Sequence, residues 1–327
     1  MTDAREPHYF NRTLGADTET QGEQLIELMF PRIKAAKDKI EGTHVLVIED
    51  RSSLRMDDAY LGQWRGGALH TTAMGASLDA LMTLQTILEQ VLARTGALPM
   101  TSLYPLLRSA IENASLAIYL LEPESRDERL LRSYKAAADD GKWQTVFMKE
   151  IGRENTECWK LRNAVYIHKL IRLRLNPLAP RTVSLSLPKY TELVKIADRA
   201  IASDPAIANS AEMPLVAWWQ LLSGMSHGKF WAMRAALERS GAQVDAEDES
   251  AYIRMTSSTA VIGLALQRAV EALETALNLF ARRSLAVWSQ PEDASEPTYV
   301  TMAARRRARN AHGSPAHSTG TTDEPDS

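Results

Sequence analysis

Two groups of side chains in this chain have the types and spacing for chemistry. The first joins Arg108 and Glu112, one helical turn apart, to Ser223 and His227 much further along. The second is Arg162 followed six positions later by His168. An arginine steadies the negative charge of a phosphate, and a histidine moves a proton near neutral pH. Each group has a plainer reading. Arg108 and Glu112 fit an i,i+4 surface pair worth a few tenths of a kcal/mol. Lys160, Lys169, Arg172 and Arg174 surround Arg162 and His168, and such a stretch fits a solvated basic helix face. It also fits, with Trp159 and Tyr166, a grip on a single-stranded nucleic acid. Arg108 and Glu112 sit among Leu, Ile and Ala, so if that face is buried the two charges must pair or hydrogen-bond. The turn from Ser223 to His227 is a source of such a partner.

Further motifs carry less. Gly224-Met225-Ser226-His227-Gly228 matches the G-x-S-x-G pattern of the hydrolase nucleophile elbow. The preceding Trp-Trp-Gln-Leu-Leu-Ser continues a helical pattern, and the elbow needs a strand there. A serine hydrolase is therefore a remote alternative, and a glycine-rich helix end is the plainer one. Trp218, Trp219, Phe230 and Trp231 flank this turn and suit a core, a partner surface or a pocket wall. Cys158 is the single cysteine, which excludes an internal disulfide and a cysteine-rich zinc site. No G-x-G-x-x-G, Walker A or H-E-x-x-H motif is present, and neither a cofactor nor a metal is expected.

These residues must be positioned by helices. Leu78, Leu81, Leu84, Leu88 and Leu92 recur at three- and four-residue steps. Leu103, Leu107, Ile111, Ala114, Ile118 and Leu121 repeat the pattern on the segment that carries Arg108 and Glu112. Pro123 closes that segment, and Ser125 opens the next helix, through about Ala138. Helical patterns also cover Glu19 to Lys39, with a kink or break expected at Pro31, then 143 to 175 and 188 to 202. Pro214 starts an aromatic helix. A long one is expected from about Ser250 to Arg283. Thr43 to Glu49 is the best strand candidate, and Val183 to Leu187 a second short extended piece. The fold class expected is all-α: a single multi-helix bundle over residues 16–287, with at most one or two short extended segments. Residues 1–15 read as a flexible N-terminus and 288–327 as a disordered tail, with a basic cluster at Arg305, Arg306, Arg307 and Arg309.

Composition limits what such a bundle does. The hydrophobic share of 45% and charged share of 24% are ordinary for a globular domain. A net charge of -3, from 38 basic and 41 acidic side chains, gives no global field for nucleic acid, so RNA binding would need a local patch. The N-terminus has no apolar run of a secretory signal, and no stretch reaches membrane-span length. A cytoplasmic location is expected.

The segment Leu106 to Arg132 (LLRSAIENASLAIYLLEPESRDERLLR) and the later Trp218 to Gly228 (WWQLLSGMSHG) resemble a group of bacterial all-helical proteins. These carry an R-x3-E helix and an S-x3-H-G turn, and some are similar to HEPN-type and abortive-infection proteins. The resemblance implies Arg108, Glu112, Ser223 and His227 as site residues. Separately, Arg162 and His168 resemble the catalytic motif of HEPN ribonucleases, in which arginine and histidine from two protomers meet at a dimer cleft. The two sites compete. The expected function is a non-enzymatic binding or assembly module that takes a protein partner or a second copy of itself. The alternative is a HEPN-like ribonuclease, as a toxin or phage-defence component.

Overall fold

A computed structural model describes residues 19–41, 46–61, 66–94, 98–153, 186–204, 207, 213–244 and 251–286. All lie in the compact unit Met1–Ser289. Arg162, His168, Cys158, both termini and the Arg305–Arg309 cluster lie outside the described residues, as does most of the 183–187 segment.

The fold is all-helical apart from one hairpin. Its described helices are α1 (Glu19–Glu41), α2 (Ser53–Leu61), α3 (Gly66–Arg94), α4 (Leu103–Leu121), α5 (Arg126–Glu150), α6 (Tyr190–Ala202), α7 (Leu215–Ser226), α8 (Phe230–Ala236) and α9 (Thr259–Ser284). Strands β1 (Leu237–Val244) and β2 (Ala251–Ser257) form an antiparallel pair between α8 and α9, with a register shift between Ser240 and Ala242.

The leucine stripes do what their spacing demands. Leu78, Leu81, Leu84 and Leu88 of α3 are all sealed from water, as are Leu103, Leu107, Ile111, Ala114, Ile118 and Leu121 of α4. Helix α4 is the axis of the bundle, packed against α3, α5, α6, α7 and α9. Ser77 of α3 fastens it by donating its hydroxyl to the carbonyl of Ala110 at 2.9 Å. Helices α1 and α9 cross so closely that a Cβ on Gly22 would lie 2.3 Å from the Ala260 nitrogen. Only glycine permits that approach.

Four expectations are corrected. The helix opened by Ser125 does not stop near Ala138, nor does a separate one start at 143: α5 runs unbroken to Glu150, and Gly152 with its positive φ ends it. The strand sought at Thr43 to Glu49 does not form among its described residues: 46–49 are irregular. The Glu49 amide instead donates to the Ser284 carbonyl at 2.9 Å, and Ser52 makes one isolated bridge with Ala286. This β-branched run found no neighbouring strand to pair with. The long helix expected from Ser250 begins instead at Thr259, because Ala251–Ser257 pairs with β1. Ser258 caps it, accepting the Val261 amide on its side chain. Finally, of the kink or break expected at Pro31, the break does not occur: α1 runs through it.

Candidate functional site

The surroundings of Arg108 begin with the register of α4. Leu107, Ala110, Ile111 and Ala114 face the core, which turns Arg108 and Glu112 toward α7 at the edge of the buried face. Their side chains are 25% and 16% exposed, so the pair is neither sealed nor fully solvated. Arg108 donates Nε–H to Glu112 Oε1 at 2.8 Å.

Helix α7 supplies the rest, and it is held by its own N-terminus. Asp198 of α6 accepts the Leu215 amide on Oδ1 at 2.8 Å, and Arg268 of α9 approaches the same oxygen at 3.3 Å. A carboxylate suits that position, where helix amides lack partners. Held there, α7 directs Trp219 to Glu112: the indole Nε1–H donates to Oε1 at 2.9 Å. One carboxylate oxygen thus accepts from both the guanidinium and the indole.

The C-terminus of α7 places the histidine. The His227 amide donates to the Ser223 carbonyl at 3.1 Å. Gly228 takes a φ of +63°, and the Lys229 amide closes back onto the Gly224 carbonyl at 2.8 Å. This is a Schellman ending, for which a glycine is the natural residue. It leaves His227 exposed with Nε2 3.0 Å from Arg108 Nη1. A guanidinium can only donate, so Arg108 is the donor in this contact and Nε2 the atom that receives it.

Tyr190, the first residue of α6, completes the surroundings. Burial raises its phenol pKa, with Glu112 and Asp139 pushing it further up and Arg108 opposing them. It therefore stays a neutral hydroxyl.

Four of the six sequence candidates therefore fall in one place. Arg108, Glu112 and His227 touch in sequence, and Ser223 supports His227 through its carbonyl. Arg162 and His168 lie outside the described residues. The glycines of the G-x-S-x-G pattern have structural duties. A Cβ on Gly224 would lie 2.7 Å from the Ala232 Cβ and 2.8 Å from Trp231 Cζ2, while Gly228 makes the turn. Ser226 ends a helix rather than following a strand, and its hydroxyl donates to the Leu222 carbonyl at 2.8 Å. That is not an elbow. Trp219 stood in the sequence only among the aromatics flanking the turn, without its bond to Glu112, and Tyr190 was not singled out. For Trp219 a signal existed: it stands four residues before Ser223 and eight before His227, on the same helix face.

Beyond the turn, Phe230 and Trp231 are 71% and 55% exposed, with Lys229 exposed beside them. Among the described residues no cluster of His, Cys, Asp and Glu could hold a metal, and no helix is long and apolar enough to cross a membrane. No protein-family model, curated protein or solved structure matches this chain.

Proposed function

We propose that this protein is a non-enzymatic binding module, and that its receiving surface is the Arg108–Glu112–His227 opening with the Lys229–Phe230–Trp231 rim. The observation that carries this is the rim itself. Two large rings, more than half exposed, open α8 three and four residues after His227, which contacts Arg108. Exposed rings beside cations suit a ligand with both flat faces and negative charge, which is the chemistry of a single-stranded nucleic acid. Glu112 already offsets much of the Arg108 charge, so the rings must supply the larger share of affinity.

The test is fluorescence anisotropy of a labelled single-stranded RNA with the full chain. Trp231→Ser is expected to weaken binding by roughly tenfold, the cost of losing about one stacked base. Arg108→Ala is expected to weaken it less and to flatten its salt dependence. Binding that is absent, or indifferent to both substitutions, would count against the proposal.

A second reading, a HEPN-like ribonuclease, is favoured by one contact: a proton carrier lies 3.0 Å from a phosphate-steadying cation at a solvent-open edge. Cleavage of RNA lost in His227→Ala would assign the activity here. Loss in His168→Ala alone would move it to the other pair, and no cleavage by the parent protein would remove it.

A further inference from the structure

The last two turns of α5 leave an apolar stripe in water. Trp143 and Phe147 are each 61% exposed, Ile151 46% and Val146 43%. Trp143, Phe147 and Ile151 recur at four-residue steps, so they align along one face. Four of the eleven large apolar side chains exposed among the described residues therefore lie within nine positions. Scattered exposed apolar groups are ordinary, but a contiguous row on one helix marks a contact surface.

The stripe ends in a hydrogen-bonded glycine closure and is flanked by charges. Gly152, with φ +68°, ends α5: its amide donates to the Lys149 carbonyl at 3.0 Å, and the Arg153 amide to the Met148 carbonyl at 2.8 Å. That closure fixes Ile151 and starts Arg153 back across the helix end. Asp140 stands exposed one turn before Trp143, and Arg153 is exposed just past Ile151. Neither has an ion-pair partner among the described residues.

We infer that this stripe is a homodimer surface, closed by the same stripe of a second copy in antiparallel orientation. The charge order argues for a second copy. With a two-fold axis beside Val146 and Phe147, Phe147 meets its own counterpart and Trp143 faces Ile151 of the second copy. Asp140 of each copy then faces Arg153 of the other, one opposite-charge pair at either end. A surface that is complementary to itself in both shape and charge is what an isologous interface requires.

Sedimentation velocity of the full chain over a concentration series tests this. The wild-type chain is expected to pass from monomer to dimer. Trp143→Ser with Phe147→Ser should abolish dimer while leaving the thermal midpoint close to that of the parent, since both side chains are exposed. Asp140→Arg alone and Arg153→Asp alone should each weaken dimerisation by roughly tenfold, by setting like charges at both ends. An equimolar mixture of these two variants should restore it, because each reversed residue then meets its opposite. A wild-type chain monomeric at every concentration would overturn the inference. So would a dimer indifferent to the paired serine substitutions, or a mixture that fails to recover. If residues 154–185 of the same chain cover the stripe, the wild type will be monomeric and the serine variant will melt earlier, which also overturns it.

Discussion

Helix α4 meets two arginine clusters, one at its C-terminal corner and one midway along it, and they differ in completeness. At the corner, Arg129, Arg132 and Arg283 converge on the carbonyls of Tyr119, Leu121, Glu122, Pro123 and Glu124. Carboxylates fill most remaining donors. Arg129 donates to Asp57 at 2.7 Å, Arg132 to Glu122 and Glu128, and Arg283 to Glu124 at 2.8 Å. Cations at a helix C-terminus complement its free carbonyls. Arg129 and Asp57 are 5% and 8% exposed. The mid-helix cluster has the same residue types, yet its arginine has only two side-chain partners among the described residues and its histidine is in water. The corner is a lock. The mid-helix cluster keeps donors and acceptors available, as a site that meets a ligand must.

The largest expected effect breaks the lock. Arg129→Ala leaves Asp57 buried with only the half-exposed Arg126 and strips a donor from Pro123 and Glu124. Urea denaturation should show a loss of about 3–5 kcal/mol, the usual cost of removing one partner of a buried ion pair. A loss below about 1 kcal/mol would mean that the corner is no more structural than the mid-helix cluster.

How much of this contrast the sequence carried depends on the residue. The mid-helix cluster was legible because an arginine and a glutamate on a Leu- and Ile-rich helix needed a partner, and a Ser…His-Gly turn was at hand. The corner was not, because its chemistry lies in backbone carbonyls, which every residue has and no motif marks. Arg283 stood in the sequence only as the end of the long helix expected from about Ser250. The hairpin was missed for another reason. Ala251–Ser257 directly precedes the apolar face of α9, and a short alternating run beside a strong helical pattern was absorbed into it.

A buried histidine sharpens the comparison from the other side. His70 on α3 is 3% exposed, packs against Phe280 with ring centroids 5.4 Å apart, and has no hydrogen-bond partner for Nε2. Burial pushes its pKa from 6.5 down to about 4. Between those values the unfolded chain takes up a proton that the folded chain refuses, so stability rises with pH across the interval. The stabilisation is complete above about pH 6.5 and is lost as pH falls to about 4, a difference on the order of 3 kcal/mol. Urea titrations at several pH values should show that slope in the parent and a flatter one in His70→Leu. Equal slopes would place the acid sensitivity elsewhere.

The smallest effect on stability is expected at the mid-helix cluster, where the consequence for binding should be largest relative to it. Arg108→Ala removes an i,i+4 pair and a contact to an exposed ring, while Glu112 keeps its bond from Trp219. Half-open pairs of this kind contribute about 0.3–1 kcal/mol. Glu112→Gln asks more, because it keeps a carbonyl oxygen for Arg108 and Trp219 but removes the charge that offsets the guanidinium. If the cluster receives an anion, Glu112→Gln should leave the denaturation midpoint almost unmoved and tighten RNA binding, since Arg108 then presents its full charge. If the cluster is a second lock, the same substitution should cost stability and leave RNA binding unchanged. Denaturation and anisotropy on one pair of proteins therefore read the two roles in opposite directions.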